Sequence, residues 1–269
     1  MSLSAPAAKE TATESIDPRS PRRVRHQPRR RTLTITRAEK IAAHTIRVTL
    51  TGDLEGFVSL GFDDHVKLFF PDGTLDAAGA PNAISRDFTP RRHEVTANTL
   101  EIDFALHDAG PAMRWAAQAG PGDTLALGGP RGSFIIPTTY DWHLLLGDET
   151  ALPAISRRLA ELPAGARALV VGEVDGPADE IAFDTRANAT IAWAHRNGTA
   201  PGESDALSKK LAAMTFPRGD YYAWVACESL IAKALRAQLI ADHGANPKWM
   251  RAAAYWRRGA VAVHEVIES

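Results

Sequence analysis

Cysteine is almost absent from this chain: Cys227 is alone among 269 residues. An intrachain disulfide is therefore excluded, and so is a cysteine-ligated zinc or iron–sulfur centre built by one chain. No apolar run approaches the ~20 residues that span a bilayer as a helix. The first residues lack the apolar stretch of a secretory signal, so a cytoplasmic protein is expected. Net charge is also almost absent, at −1, and points to no polyanionic partner. Its distribution is less even. Seven arginines fall between Arg19 and Arg31 with no acid among them, and without these seven the remainder stands at −8. No aromatics interleave with this run, so it reads as a solvated arm beside the first strand rather than a nucleic-acid or membrane surface.

What the chain does have is enough apolar residue, 45% of the total, to bury a sizeable core, and enough length for two medium domains. Residues 1–25 carry no hydrophobic period and read as a disordered tail. From Thr32 the texture is that of strands. Leu33 and Ile35, then Ile46, Val48 and Leu50, then Leu100, Ile102 and Phe104 alternate with polar neighbours, the period of a sheet with one buried face. Further strands are predicted at 66–70 and 124–127, and one helix at 111–118 with Pro111 in its first turn. Several strands separated by Gly, Pro, Asn and Asp suggest an antiparallel barrel over 26–137.

After Pro137 the pattern alternates between apolar strands and helices. Strands are expected at 142–146, 168–174, 190–194, 221–226 and 250–256. Helices are expected at 151–162, at 205–214 with Asp205 as N-cap, and at 228–243 with Gly244 as its end. This pattern implies a parallel α/β domain over 138–269.

Five segments could carry chemistry. Arg86-Asp87-Phe88-Thr89 places a guanidinium, an aromatic ring and a hydroxyl on one extended stretch, which suits phosphate, a flat ring system and a polar ring edge respectively. His107-Asp108-Ala109-Gly110-Pro111-Ala112-Met113-Arg114-Trp115 joins a strand end to a helix N-terminus, where backbone N–H groups favour phosphate. Gly128-Gly129-Pro130-Arg131-Gly132 is a glycine-dense turn. Gly147-Asp148-Glu149-Thr150-Ala151 leads from an apolar strand into a helix, the place of a dinucleotide in an α/β fold, although it is not GxGxxG. Tyr255-Trp256-Arg257-Arg258-Gly259 sets an aromatic and two cations at a strand end. Each segment alone is also compatible with an ordinary turn, capped helix or solvated edge.

Taken in order, "RDFTPR", "HDAGPAMRWA", "GPRGSF", "GDETALPAI" and "YWRRG" resemble the siderophore-interacting protein family of flavin-dependent ferric-siderophore reductases, over roughly residues 30–259. The resemblance implies a ferredoxin-reductase-like fold, a Greek-key FAD-binding barrel followed by a nicotinamide-binding α/β domain. It implies FAD contacts from Arg86, Asp87, Phe88 and Thr89, and from His107, Asp108, Gly110, Pro111, Ala112 and Trp115. It places Asp148, Thr150 and Ala151 at the nicotinamide and Trp256 over the flavin. Phe88 stands where the family more often has Tyr, and Met113 where it often has a smaller residue.

The implied function is transfer of electrons from NADPH or NADH through FAD to siderophore-bound Fe(III), with no protein metal site and no catalytic triad. Nicotinamides deliver electron pairs and Fe(III) takes one electron, so a flavin bridges them. Lys248, Arg251, Arg257 and Arg258 are candidates to meet an anionic ferric siderophore. The acids Glu173 and Asp175 favour NADH, whereas His195, Arg196 and the family favour NADPH. Two alternatives stay open: a non-catalytic siderophore carrier, and a general NAD(P)H:flavin or metal-chelate oxidoreductase.

Overall fold

The computed structural model describes residues 17–75, 81–106, 110–260 and 265–267. The chain opens with β1 (Arg22–Arg25), β2 (Arg30–Ala42), β3 (Thr45–Thr51), β4 (Val66–Leu75), β5 (Pro81–Phe88), β6 (Arg92–Glu94) and β7 (Thr99–Ala105). Helix α1 (Pro111–Gln118), β8 (Thr124–Gly128) and β9 (Gly132–Ile135) follow. Seven of these strands form one antiparallel sheet in the order β5-β4-β8-β2-β3-β7-β6. The alternating residues do as expected: Leu33, Val48, Leu50, Leu100, Ile102 and Phe104 are fully buried and Ile35 nearly so. Phe88 on the edge strand β5 lies 4.6 Å from Phe104 on β7, near the opposite edge. The sheet therefore curls until its two ends meet over a shared core, and α1 plugs that core with Ala112 and Ala116.

The second half runs β10 (Trp142–Gly147), α2 (Leu152–Glu161), β11 (Arg167–Val174), β12 (Asn188–His195), α3 (Ala206–Ala212), β13 (Tyr221–Glu228), α4 (Ser229–His243), β14 (Met250–Trp256) and β15 (Glu265–Ile267). Its sheet has the order β12-β11-β10-β13-β14-β15, parallel throughout except for β15. Strand β10 comes first in this half and is flanked by both β11 and β13, so the strand order reverses beside it. Ligands of open parallel sheets bind at such a reversal, beyond the carboxyl ends of the strands. Gly244, with φ of 62°, ends α4 as expected.

Three expectations need correction. Arg22–Arg25 belongs to no tail: it pairs antiparallel with β9. The arginine run is a solvated arm only in part: Arg22, Arg23, Arg25, Arg29 and Arg30 are exposed, while Arg19 is half-buried and Arg31 buried. Arg19 lies over the rings of Tyr140 and Trp249 and pairs with Asp220, Arg23 covers Phe134, and Arg30 covers Phe69. Arg31 is buried and donates to the carbonyls of Asp53 and Glu55. The aromatic partners come from distant segments, so no local interleaving announces them. Asp205 does not cap α3 through its side chain, which pairs with Lys209; Ser204 Oγ accepts from Ala206 N instead.

The two sheets are tied by buried polar links. Arg157 on α2 donates to Ser59 Oγ at 2.8 Å, to Ser59 O at 2.9 Å and to Pro90 O at 3.1 Å. Its neighbour Arg158 donates to the carbonyls of Ile136 and Pro137 and lies over Phe62. Asp63 accepts from Trp224 Nε1 and from Arg251 Nε. A buried guanidinium surrounded by acceptors is costly to pull away from them, so these ties fix one sheet against the other.

Candidate active site

A cleft of about 530 Å³ opens where the end of β5, the start of α1, the β10–α2 turn and the end of β14 converge. Arg86, Asp87, Phe88 and Thr89 form its barrel wall. Phe70 and Phe104 back Phe88 at 5.8 and 4.6 Å, which holds its ring fixed while leaving part of it to the cleft. Asp87 pairs with Lys67 at 2.8 Å. Thr89 is hydrogen-bonded to the Tyr255 hydroxyl, and burial raises the pKa of that phenol, so it stays protonated.

Gly110, Pro111, Ala112 and Met113 form the second wall. Pro111 occupies the first helical turn and has no N–H to satisfy. No side chain among the described residues caps α1, and its first turn carries no acid. A Cβ added to Gly110 would meet nothing within 4 Å. Packing therefore does not demand the glycine, and the helix end is open to an anion. His107 and Asp108 lie outside the described residues.

The third wall is the Glu149-Thr150 turn with Pro153. Gly147 permits it, because a Cβ there would stand 2.4 Å from Ala226 O. Asp148, only 4% exposed, lies behind the wall. It accepts from Thr150 N at 3.0 Å, Thr150 Oγ1 at 2.5 Å, Glu228 N at 3.2 Å and Trp256 Nε1 at 2.8 Å. Glu228 in turn accepts from Leu230 N, Ile231 N and Arg258 N. The chain's own carboxylates thus occupy the turns that open α2 and α4.

Trp256, Arg257, Arg258 and Gly259 close the cleft from the end of β14. Besides the bond to Asp148, the Trp256 ring packs over Gly202, where a Cβ would lie 2.9 Å from the indole and 3.1 Å from Glu228. Arg258 pairs with Glu203 on the same neighbouring loop.

A second cleft, about 270 Å³, adjoins the first through Glu149 and Pro201 at the ends of β11 and β12. Arg196 lies between Glu149, at 2.6 Å, and Glu173, at 3.6 Å. Burial pushes Glu173 up to about 7, helped by Asp148 and opposed by Arg196. His44 reaches across from the β2–β3 hairpin to Asp179, and Asp175 accepts from Gly198 N. His195, expected to offset these acids, turns to Glu180 instead.

Arg86, Asp87, Phe88, Thr89, Gly110, Pro111, Ala112, Thr150, Trp256, Arg257 and Arg258 are thus brought to one cleft from both halves of the chain. Five expected residues are not on its surface. Trp115 packs against Phe70 and Phe104 in the barrel core. Ala151 is buried against Gly147, and Asp148 is the polar support behind the wall. Arg251 is spent on Asp63 and Phe134 between the sheets. Lys248 precedes β14, whose seven residues put ~20 Å of strand between it and Arg257. Sequence position near the C-terminus hides that these cations stand at opposite ends of one strand. The cleft also recruits His65, Asp103, Glu149 and Pro201. Of these, His65 was reachable from the sequence only through the pairing of β4 with β5.

This architecture, a curled antiparallel sheet and a parallel sheet sharing a ligand cleft at the strand-order reversal, is that of the ferredoxin-reductase-like flavoproteins. Family descriptions make it narrower. Residues 34–134 match the siderophore-interacting FAD-binding domain, and residues 140–259 match the siderophore-interacting protein family. The chain is 39% identical over 256 residues to an NADPH-dependent ferric-chelate reductase of Escherichia coli, covering 89% of this chain and 97% of the relative. It is 31% identical to the ferric vibriobactin reductase ViuB of Vibrio cholerae, covering 85% and 90%. The crystal structure of a siderophore utilization protein from T. fusca superposes with a TM-score of 0.83 at 36% identity, covering 91% and 98%. The chain belongs to the siderophore-interacting protein family.

Proposed function

We propose that this chain is an NAD(P)H-dependent ferric-siderophore reductase that works through FAD. The observation that carries the reading is the convergence in one cleft of a backed aromatic, an arginine and an uncapped helix N-terminus from the barrel with a tryptophan and two arginines from the parallel half. That donor set fits FAD: the α1 N–H groups and Arg86 suit its diphosphate, Phe88 its ring face, and the Thr89–Tyr255 hydroxyl pair a polar ring edge. When bound, FAD supplies the change from two-electron to one-electron transfer.

The residues position rather than react. Phe88, locked by Phe70 and Phe104, orients a flat ring. Trp256, held by Asp148, stands opposite and keeps water from that face. Arg257 and Arg258 present positive charge at the cleft mouth to an anionic ferric chelate. Thr150 and Glu149 stand where a nicotinamide would enter, and the second cleft continues the path for the rest of the dinucleotide. The relative's printed NADPH dependence supports NADPH as donor. Among the described residues no helix is long and apolar enough to cross a membrane, which accords with a cytoplasmic site of action. Residues 26–137 serve as the FAD-binding domain and 138–269 as the nicotinamide-binding domain.

The test is a visible spectrum of the purified protein followed by anaerobic addition of NADPH and then a ferric chelate. Flavin bands that bleach with NADPH and return with the chelate are expected. A colourless protein that takes up no added FAD overturns the reading.

A further inference from the structure

A cationic layer on the outside of the first half takes no part in the cleft. Strands β1 and β9 form a two-stranded ribbon, with Arg23 opposite Phe134, Val24 opposite Ser133 and Arg25 opposite Gly132. Residues 57–61 pack against β9: Leu60 N donates to Ser133 Oγ at 2.9 Å, and a Cβ on Gly61 would stand 2.7 Å from Phe134 O. The side chains of this segment alternate. Phe57 and Ser59 are buried, whereas Val58 is 38% and Leu60 47% exposed.

The two serines fix which side is inward. Ser59 Oγ and Ser133 Oγ both donate to the buried Asp64. Positions that alternate with them turn outward: Val58 and Leu60 beside Ser59, and Arg23 and Arg25 across the ladder from the neighbours of Ser133. Aliphatic and cationic side chains thus share an outer face. Arg22 at one end of the ribbon and Arg131 at the other add two more exposed guanidiniums. Among the described residues none of these four arginines has a carboxylate partner, whereas Arg19 and Arg29, flanking them in sequence, pair with Asp220 and Asp53.

Unpaired cations beside bare aliphatic side chains match a bilayer interface, where anionic headgroups meet the one and the acyl boundary meets the other. A nucleic-acid strand needs exposed rings on which its bases stack, and Phe134 is covered by Arg23 and Arg251. The sequence gives no sign of this face, because Val58 and Leu60 reach it from a distant segment. We infer that the β1–β9 ribbon, with Val58 and Leu60, docks this chain on the surface of a bilayer containing anionic lipid, without crossing it. The contact is peripheral and salt-sensitive. Phe134 lies against Arg251 at the start of β14, whereas the cleft opens at the end of that strand, so docking and the chemistry of the cleft use different parts of the molecule. The inference does not rest on the reductase reading.

The experiment sediments the full-length holoprotein with lipid vesicles of pure phosphatidylcholine or with about 30% phosphatidylserine added. Binding is expected to the anionic vesicles alone and to be reversed by ~0.5 M NaCl. Arg22→Gln, Arg25→Gln and Arg131→Gln combined should weaken it ~100-fold, and Leu60→Ser about fivefold. These side chains are exposed and the cations unpaired, so melting temperature and flavin content should match the wild type, which separates lost docking from a lost fold. Wild-type protein that stays in solution with anionic vesicles, sediments equally with pure phosphatidylcholine, or binds as tightly in the triple variant overturns the inference. Capture by poly-L-glutamate as tight as by the vesicles, with Leu60→Ser affecting neither, would make an acidic polypeptide the occupant and overturn the lipid assignment.

Discussion

The indole N–H of Trp256 donates to Asp148 Oδ2 at 2.8 Å across 108 residues of sequence. The same carboxylate holds the start of the β10–α2 turn and the end of β13, so one acid sets three sides of the site. Asp148→Ala leaves the buried Glu228 N–H and the Trp256 N–H without this acceptor. A loss of about 1–3 kcal/mol is expected from the unpaired donors, read as a lowered urea midpoint. A midpoint equal to the wild type would show that Trp256 does not depend on Asp148.

Gly202 has φ of 76° and no room for a Cβ beneath the Trp256 ring. Gly202→Val should push the indole off its seat. The expected signature is a changed flavin-quenched tryptophan emission together with an altered KM for NADPH. Barrel stability should stay within about 0.5 kcal/mol, since no barrel contact is involved.

Arg157 is 5% exposed and bridges α2 to Ser59 and Pro90. Arg157→Met preserves much of the stem but strands those acceptors. Destabilisation of about 2–4 kcal/mol is expected. Calorimetry should resolve the single melting transition into two as the halves uncouple; one unchanged transition would assign the coupling elsewhere.

Glu173 has its folded pKa pushed up to about 7 by burial, above its value in an unfolded chain. The folded state therefore binds the extra proton, and the associated stability is present below the unfolded carboxylate range and lost as pH rises through about 7. Glu173→Gln removes that dependence. The wild type should lose melting temperature relative to the variant between pH 5 and pH 8, by the equivalent of up to about 3 kcal/mol. Parallel pH profiles for the two proteins would rule out this linkage.

Phe88 backs onto Phe104 and Phe70 while facing the cleft. Phe88→Ala should weaken FAD retention about tenfold or more, since an aromatic contact of about 1 kcal/mol and its buried area are lost together. Fluorescence titration of apoprotein with FAD measures it; unchanged affinity would move the ring site elsewhere.

The period-two runs through Leu33, Val48 and Ile102, and the apolar strands at β10, β11 and β13, were readable because one buried face or two leaves a regular mark on sequence. The convergence of Phe88, Gly110, Thr150 and Trp256 was readable only through family resemblance, since no local pattern tells which loops meet. Arg251 shows the limit most clearly. A guanidinium near Arg257 in sequence looks like part of the same cationic patch, yet its role is set by Asp63, 188 residues away. Arg19 and Arg31 of the N-terminal run show the same limit: the rings of Tyr140 and Trp249, and the carbonyls of Asp53 and Glu55, reach them from other elements.

Glu228 closes the opening of α4 with its own carboxylate, whereas α1 and α2 both begin without a side-chain cap among the described residues. On the proposed reading each half of the chain thus offers one open helix start to a diphosphate, while the self-capped α4 turns its acid to the chain leaving β14, through Arg258 N.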